Sequence, residues 1–162
     1  IEGIEWDMAL EDVKYILDLS NIEYTIASGD LANHVVLHVD KQIDMWGYEV
    51  SYSFNFAPSQ TVEEKLVSAV AISKNKLKDV YETAVRLFGS ENSKNSDNYY
   101  WNDLKFNELY QGDLIDEIYE RYTECMGGAS LPLSEFMYMP CAVMTLGTGD
   151  HKTTKITFTP AF

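Results

Sequence analysis

An α+β fold, an antiparallel β-sheet with helices packed on one face, follows from three observations in this 162-residue sequence. In residues 46–56 the even positions are Trp, Tyr, Val, Tyr, Phe and Phe, and the odd ones are Gly, Glu, Ser, Ser and Asn. Side chains alternate faces along a strand, so this run predicts a long β-strand with one dry and one wet face. Second, Leu77, Val80, Tyr81, Ala84, Val85 and Phe88 follow the i, i+3, i+4, i+7, i+8, i+11 pattern of an amphipathic helix, which Gly89 stops. Third, the order helix, strands, helix, helix, strands, with short connections between successive strands, fits a meander better than alternating βαβ units. The chain reads as a single domain over 1–162. The alternative organisation is two similar halves, 1–90 and 99–162, joined by a polar loop.

Taken in order, Asp7 is the expected N-cap of a first helix, whose stripe Leu10, Val13, Ile16 and Leu17 ends at about Leu19. Residues 22–26 alternate and predict a strand, closed by Ser28, Gly29 and Asp30. Val35, Leu37 and Val39 then share one face, opposite His34, Val36 and His38. Residues 40–42 reverse the chain into the long strand, completing a three-strand meander with the first strand on its edge. The apolar run 66–72 predicts a strand covered on both faces. Ser73 or Asn75 is expected to cap the helix that follows, and that helix is expected to lie across the aromatic face of the sheet.

Residues 90–98, composed of Ser, Asn, Lys, Glu and Asp, read as a mobile linker or a loop and as the best candidate boundary in the chain. Tyr99, Tyr100 and Trp101 open the second half as a short strand. A third helix follows Gly112 and Asp113, with Ile115, Ile118, Tyr119 and Tyr122 inward and Asp116, Glu117, Glu120 and Glu124 outward. The apolar segment 137–146 and the alternating segment 155–159 predict two strands joined by a hairpin turn at Gly147, Thr148, Gly149 and Asp150.

The charge balance is 26 acidic against 12 basic residues, a net −14. Such a surface repels phosphate backbones and anionic lipid, which argues against nucleic-acid and membrane-surface binding. No stretch reaches the ~20 apolar residues of a membrane span. Cys125 and Cys141 are the two cysteines. A disulfide between them would contribute about 3 kcal/mol and would suit an oxidising compartment, and two buried free thiols fit the sequence equally well. The first residue is Ile1 rather than Met, which reads as a mature or trimmed fragment and leaves room for an upstream lipid anchor.

No residue pattern carries a catalytic signature. His34 and His38 share a strand face but stand ~13 Å apart along it, too far to bind one metal. His151 and either cysteine would form a Cys–His pair only if the fold brought them together. A strand follows Gly147–Asp150 where a phosphate cradle needs a helix N-terminus. Asp40 and Asp44 lack the further oxygen ligands of a calcium loop. No metal and no cofactor is expected. The remaining lead is aromatic. Tyr99, Tyr100, Trp101 and Tyr138 combine apolar area with polar tips, the residue type favoured at interfaces, and are the candidate binding residues.

The segment Ile4, Glu5, Trp6, Asp7, Met8, Ala9, Leu10, Glu11, Asp12, Val13 resembles the opening of small exported bacterial envelope proteins, in which a Trp-Gly-Met-Ser-like turn starts a helix of pattern x-E-E-V. The group is similar to outer-membrane assembly lipoproteins of the SmpA/BamE type and to β-lactamase-inhibitor-like proteins. Asp7 stands where Gly is usual, and residues 103–135 read as an insertion. The resemblance implies a sheet with helices on one face and an extracytoplasmic binding role with a protein or other macromolecular partner. It supplies no catalytic residues. The alternatives are a small-molecule or cation-binding domain and, third, a small hydrolase.

Overall fold

The computed structural model describes residues 1, 4, 6, 8–58, 64–109, 113–125, 127 and 131–161, without the side chains of residues 114, 121 and 125. Helix α1 (Leu10–Leu19) buries Val13 and Leu17. Its N-cap is Ala9, without a side-chain cap, and the expected cap Asp7 lies outside the described residues. Strands β1 (Tyr24–Ser28) and β2 (Val35–Val39) follow. The long strand begins two residues later than its aromatic pattern predicts. Strand β3 (Ile43–Met45) precedes it, and a two-residue turn at Trp46 and Gly47 leads into β4 (Tyr48–Pro58). Both turn residues have positive φ, 58° and 83°, the geometry of a hairpin turn that matches strand twist. An indole in the left-handed region is unusual. Its ring packs edge-on against Phe88 at 5.4 Å and Phe158 at 6.3 Å, which offsets the backbone cost.

β5 (Glu64–Ser73) pairs with β4 across a bulge between Asn55 and Phe56. It is covered on one face, not both. Leu66, Ala69, Ala71 and Ser73 are buried, whereas Ser68, Val70 and Ile72 are half-buried and Val67 is exposed. Helix α2 (Leu77–Phe88) has Lys76 as N-cap instead of Ser73 or Asn75. The Ser73 hydroxyl is used elsewhere: it donates to Asn75 Oδ1 at 3.0 Å and accepts from the Asn75 amide at 3.1 Å. As expected, Gly89 ends the helix with φ 77°.

The segment read as a linker or loop is a short hairpin with its connecting loop. β6 (Ser93–Lys94) pairs with β7 (Asn98–Lys105), and Asn95 Oδ1 accepts the amides of Asp97 and Asn98. Asparagines that close turns in this way give the same composition as a mobile linker. Three helices follow: α3 (Phe106–Leu109), α4 (Asp113–Cys125) and α5 (Leu133–Phe136). They gather a satellite core, with Phe136 stacked on Phe106 at 4.5 Å and beside Tyr119 and Tyr122. β8 (Pro140–Thr148) and β9 (Thr154–Pro160) complete the chain, joined by a short 3-10 turn at Asp150–Lys152.

Every strand pairing is antiparallel, in the order β1-β2-β4-β5-β9-β8-β7-β6 with β3 beside β4. α1 is followed by β1, β2, β3, β4 and β5, and α2 by β6, β7, the three helices α3, α4 and α5, then β8 and β9. β5 pairs with β9, so one sheet runs across the segment 90–98.

One face of this sheet is the core: Leu37, Val50, Phe54, Phe56, Ala71, Ile156, Met144, Leu146 and Trp101 are buried on it in register. α2 packs there, with the Tyr48 hydroxyl 2.8 Å from Thr83 Oγ1. Val80 and Ala84 are fully buried, and a side chain the size of Val80 contributes about 1.5–3 kcal/mol.

The fully buried Thr154 donates from Oγ1 to the Asn75 carbonyl at 2.7 Å, tying β9 to the entry of α2. Thr154→Val leaves that carbonyl unsatisfied and is expected to cost about 1–3 kcal/mol. The urea midpoint measures it, and an unchanged midpoint would show that the bond contributes nothing.

Candidate functional site

The second face of the sheet is different in kind. Residues that alternate with the core positions form continuous cross-strand rows. The longest runs Thr25, His38, Ser53, Val70, Thr157, Thr145, Tyr100, Ser93. Beside it run Ser51, Ile72, Lys155, Gly147, Asn98, and Ala27, Val36, Asn55, Ser68. Apart from Gly147, every residue in these rows is half-buried or exposed.

Short β-branched and hydroxyl side chains favour strands because they pack on a pleated surface. Here they also keep the face shallow and broad. Asn55 donates to Ser68 Oγ at 2.8 Å, holding one of the few amides on it. Gly147 admits no side chain, because a Cβ there would run into the Asn98 amide. Among these rows Lys155 carries the only fixed charge, a local depletion on a chain of net −14, and the exposed pair Asp44 and Glu49 borders them on the same face.

The aromatic candidates divide between the faces, as strand alternation requires. Trp101 is 1% exposed and donates its indole N–H to the Gly89 carbonyl at 2.9 Å, so it is a core residue and not a surface contact. Tyr99 lies on the same side, half-buried, with its ring 4.3 Å from that of Tyr81. Tyr100 is on the open face, and its hydroxyl accepts from Asn95 Nδ2 at 3.0 Å. Tyr138, 58% exposed, follows α5 and belongs to neither group. The four do not form one surface. Sequence reasoning passed over the hydroxyl rows of β5, β8 and β9, whose alternating Thr, Ser and Val were the available signal.

The Cys–His arrangement is absent from the described residues. Cys141 is the second residue of β8 and His151 lies in the turn past the other end, ~24 Å away by strand rise. Cys141 is fully buried, and burial, with the Glu108 carboxylate secondarily, pushes its thiol up to about 12. Such a thiol stays protonated at neutral pH and is a poor nucleophile. Cys125, its partner in the possible disulfide, has a side chain outside those described.

A Cys125→Ser variant is therefore expected to show no thiol reactive toward an aromatic disulfide reagent at pH 8 until denatured, when one thiol titrates. Rapid native labelling would contradict the burial of Cys141. His34 is half-buried and His38 exposed, and no group of three or more His, Cys, Asp or Glu able to hold a metal occurs among the described residues. No helix among them is long and apolar enough to cross a membrane. No family model, curated protein or solved structure matches this chain.

Proposed function

We propose that this domain is a non-enzymatic interaction module that binds a protein partner across its open sheet face. The observation that carries the reading is the charge-depleted, half-exposed surface formed by the cross-strand rows on an otherwise strongly acidic chain. Interface cores are depleted of charge and mix apolar with hydrogen-bonding groups, which is the composition of Val70, Ile72, Thr145, Thr157 and Tyr100. The acidic surroundings form a polar rim that favours a cationic partner and speeds its encounter. The resemblance of the opening segment to exported envelope proteins supports an extracytoplasmic setting.

The test is crosslinked capture from envelope and medium fractions, using the wild-type domain and a Thr145→Arg/Thr157→Arg variant as baits. Both side chains point away from the core, so the variant is expected to melt within a few degrees of wild type. One saturable protein captured by wild type and lost by the variant is the expected result. Equal capture by both baits would overturn the open-face assignment, and capture by neither would count against the interaction reading as a whole.

A further inference from the structure

The two ends of the sheet are finished differently. β6, at one end, is two residues long and includes Lys94. Short edge strands and lysines are the usual guards against unwanted strand pairing. β1, at the other end, is five residues long, Tyr-Thr-Ile-Ala-Ser, with no charge, proline or bulge.

Its ladder shows which backbone groups remain free. The Asp40 amide donates to the Glu23 carbonyl at 2.9 Å and the Gly29 amide to the His34 carbonyl at 2.8 Å. Hydrogen-bonded pairs alternate in an antiparallel ladder. Thr25 and Ala27 therefore turn their backbone groups toward β2, and Tyr24, Ile26 and Ser28 turn theirs outward. Among the described residues no strand covers that side.

The surroundings favour a particular occupant. Tyr15, Leu19, Ile26 and Leu31, four of the eight exposed large apolar side chains among the described residues, lie in α1, in β1 and in the turn after it. Ile26 is 47% exposed at the middle of the strand. Where β1 begins, Asp18, Asn21, Ile22, Glu23 and Tyr24 line an open depression of about 530 Å³. Asp40 pairs with Glu23, and Asp30 follows the far end. Lys14, near Asp18 and Tyr24, is held by both Glu11 oxygens at 2.7 and 2.9 Å, and Lys41 is the basic residue beside Asp40. A second copy would bring two such acidic rims together, each on a chain of −14. A basic strand meets the opposite situation.

We propose that the outer edge of β1 docks an extended, lysine- or arginine-bearing segment of a partner protein, which joins the sheet as a further strand. Its backbone pairs with Tyr24, Ile26 and Ser28. Its apolar residues cover Ile26, and a terminal cation enters the depression between Asp18 and Glu23. Main-chain bonds give such a complex its affinity, and alternate side chains give it selectivity. The inference rests on the reading of the domain as an interaction module and identifies which part of a partner it holds.

The probe is a fluorescent heptapeptide, Lys-Val-Thr-Ile-Thr-Val-Lys, compared with the same peptide bearing Glu for both Lys. Fluorescence anisotropy measures binding, and amide exchange of the wild-type protein maps it. The lysine peptide is expected to bind at least about tenfold more tightly than the glutamate peptide and to weaken as salt rises. It should also protect the amides of Tyr24, Ile26 and Ser28. Ile26→Pro removes an outward N–H without touching the β1–β2 ladder, and is expected to reduce affinity at least about tenfold. If that variant does not fold, amide protection in the wild type decides alone.

Equal binding of both peptides, or protection elsewhere than β1, overturns the proposal. So does self-association in sedimentation that Ile26→Pro abolishes, because the occupant is then a second copy. Absent peptide binding together with partner capture that depends on Thr145 and Thr157 overturns this edge proposal alone. Absence of both overturns the interaction reading as well.

Discussion

Trp101→Ala is expected to lower stability by about 3–5 kcal/mol, the range for truncating a large buried aromatic side chain. The indole is 1% exposed, lies 6.2 Å from the ring of Tyr81, and donates to the Gly89 carbonyl that closes α2. Truncation therefore empties a volume between sheet and helix and also orphans a carbonyl at the helix terminus. In a chain of this size the loss corresponds to a fall in melting temperature of roughly 6–20 °C. Trp101→Phe refills most of the volume but not the hydrogen bond, so it should recover the larger part of the loss. A wild-type melting temperature for the Ala variant would show that the indole is not a core group. The same result governs binding experiments: partner loss in a Trp101 variant reports damaged folding, which is why Thr145 and Thr157 are the informative positions.

Phe136→Ala is expected to act on a different part of the molecule. Phe136 is 1% exposed and contacts the rings of Phe106, Tyr119 and Tyr122, which hold α3, α4 and α5 together. Ile115 and Ile118 are also buried there. The cost is again about 3–5 kcal/mol, but it falls on a satellite core attached to the β7–β8 end of the sheet. Amide exchange in α4 should accelerate by a factor on the order of one hundred or more, while β4, β5 and β9 keep their protection. Uniform acceleration across the sheet would mean that the two cores unfold as one unit.

Periodicity makes most of the architecture legible in the sequence. The even face of β4, the stripe of α2 and the outward acids of α4 all stand where alternation and the 3.6-residue repeat place them. Features that depend on contacts between distant segments were not legible. The Trp46–Gly47 turn was hidden because a tryptophan in the left-handed region has no local signature, and only Phe88 and Phe158 explain it. Lys76 replaced Ser73 as cap because the Ser73 hydroxyl turned to Asn75. The apolar run 66–72 looks two-sided, yet nothing in it shows that its Val and Ile positions would meet small polar residues on an open face. The aromatic triplet Tyr99, Tyr100, Trp101 was correctly placed on a strand, but a strand cannot present three consecutive rings to one partner. The candidate site itself is legible in part: the wet face of 46–56 supplies one strand of it, and its extension over β5, β9 and β8 depends on a strand order that no local pattern encodes.

The position of β9 between β5 and β8 has a consequence for how the chain is made. β5 is complete at Ser73, but the neighbour that seals its outer side begins at Thr154. At about 5–20 residues per second, that neighbour leaves the ribosome on the order of ten seconds later. Through that interval the first half can form its helix and hairpins, while the rim that will become the middle of the finished sheet is still bare. Pairings this remote in sequence also close slowly, because the intervening chain must be ordered before the contact returns any energy. The nascent domain is thus most vulnerable to misassociation at the seam that is best protected once synthesis ends. A holdase or a slowed stretch of translation would have its largest effect between the appearance of α2 and that of β9.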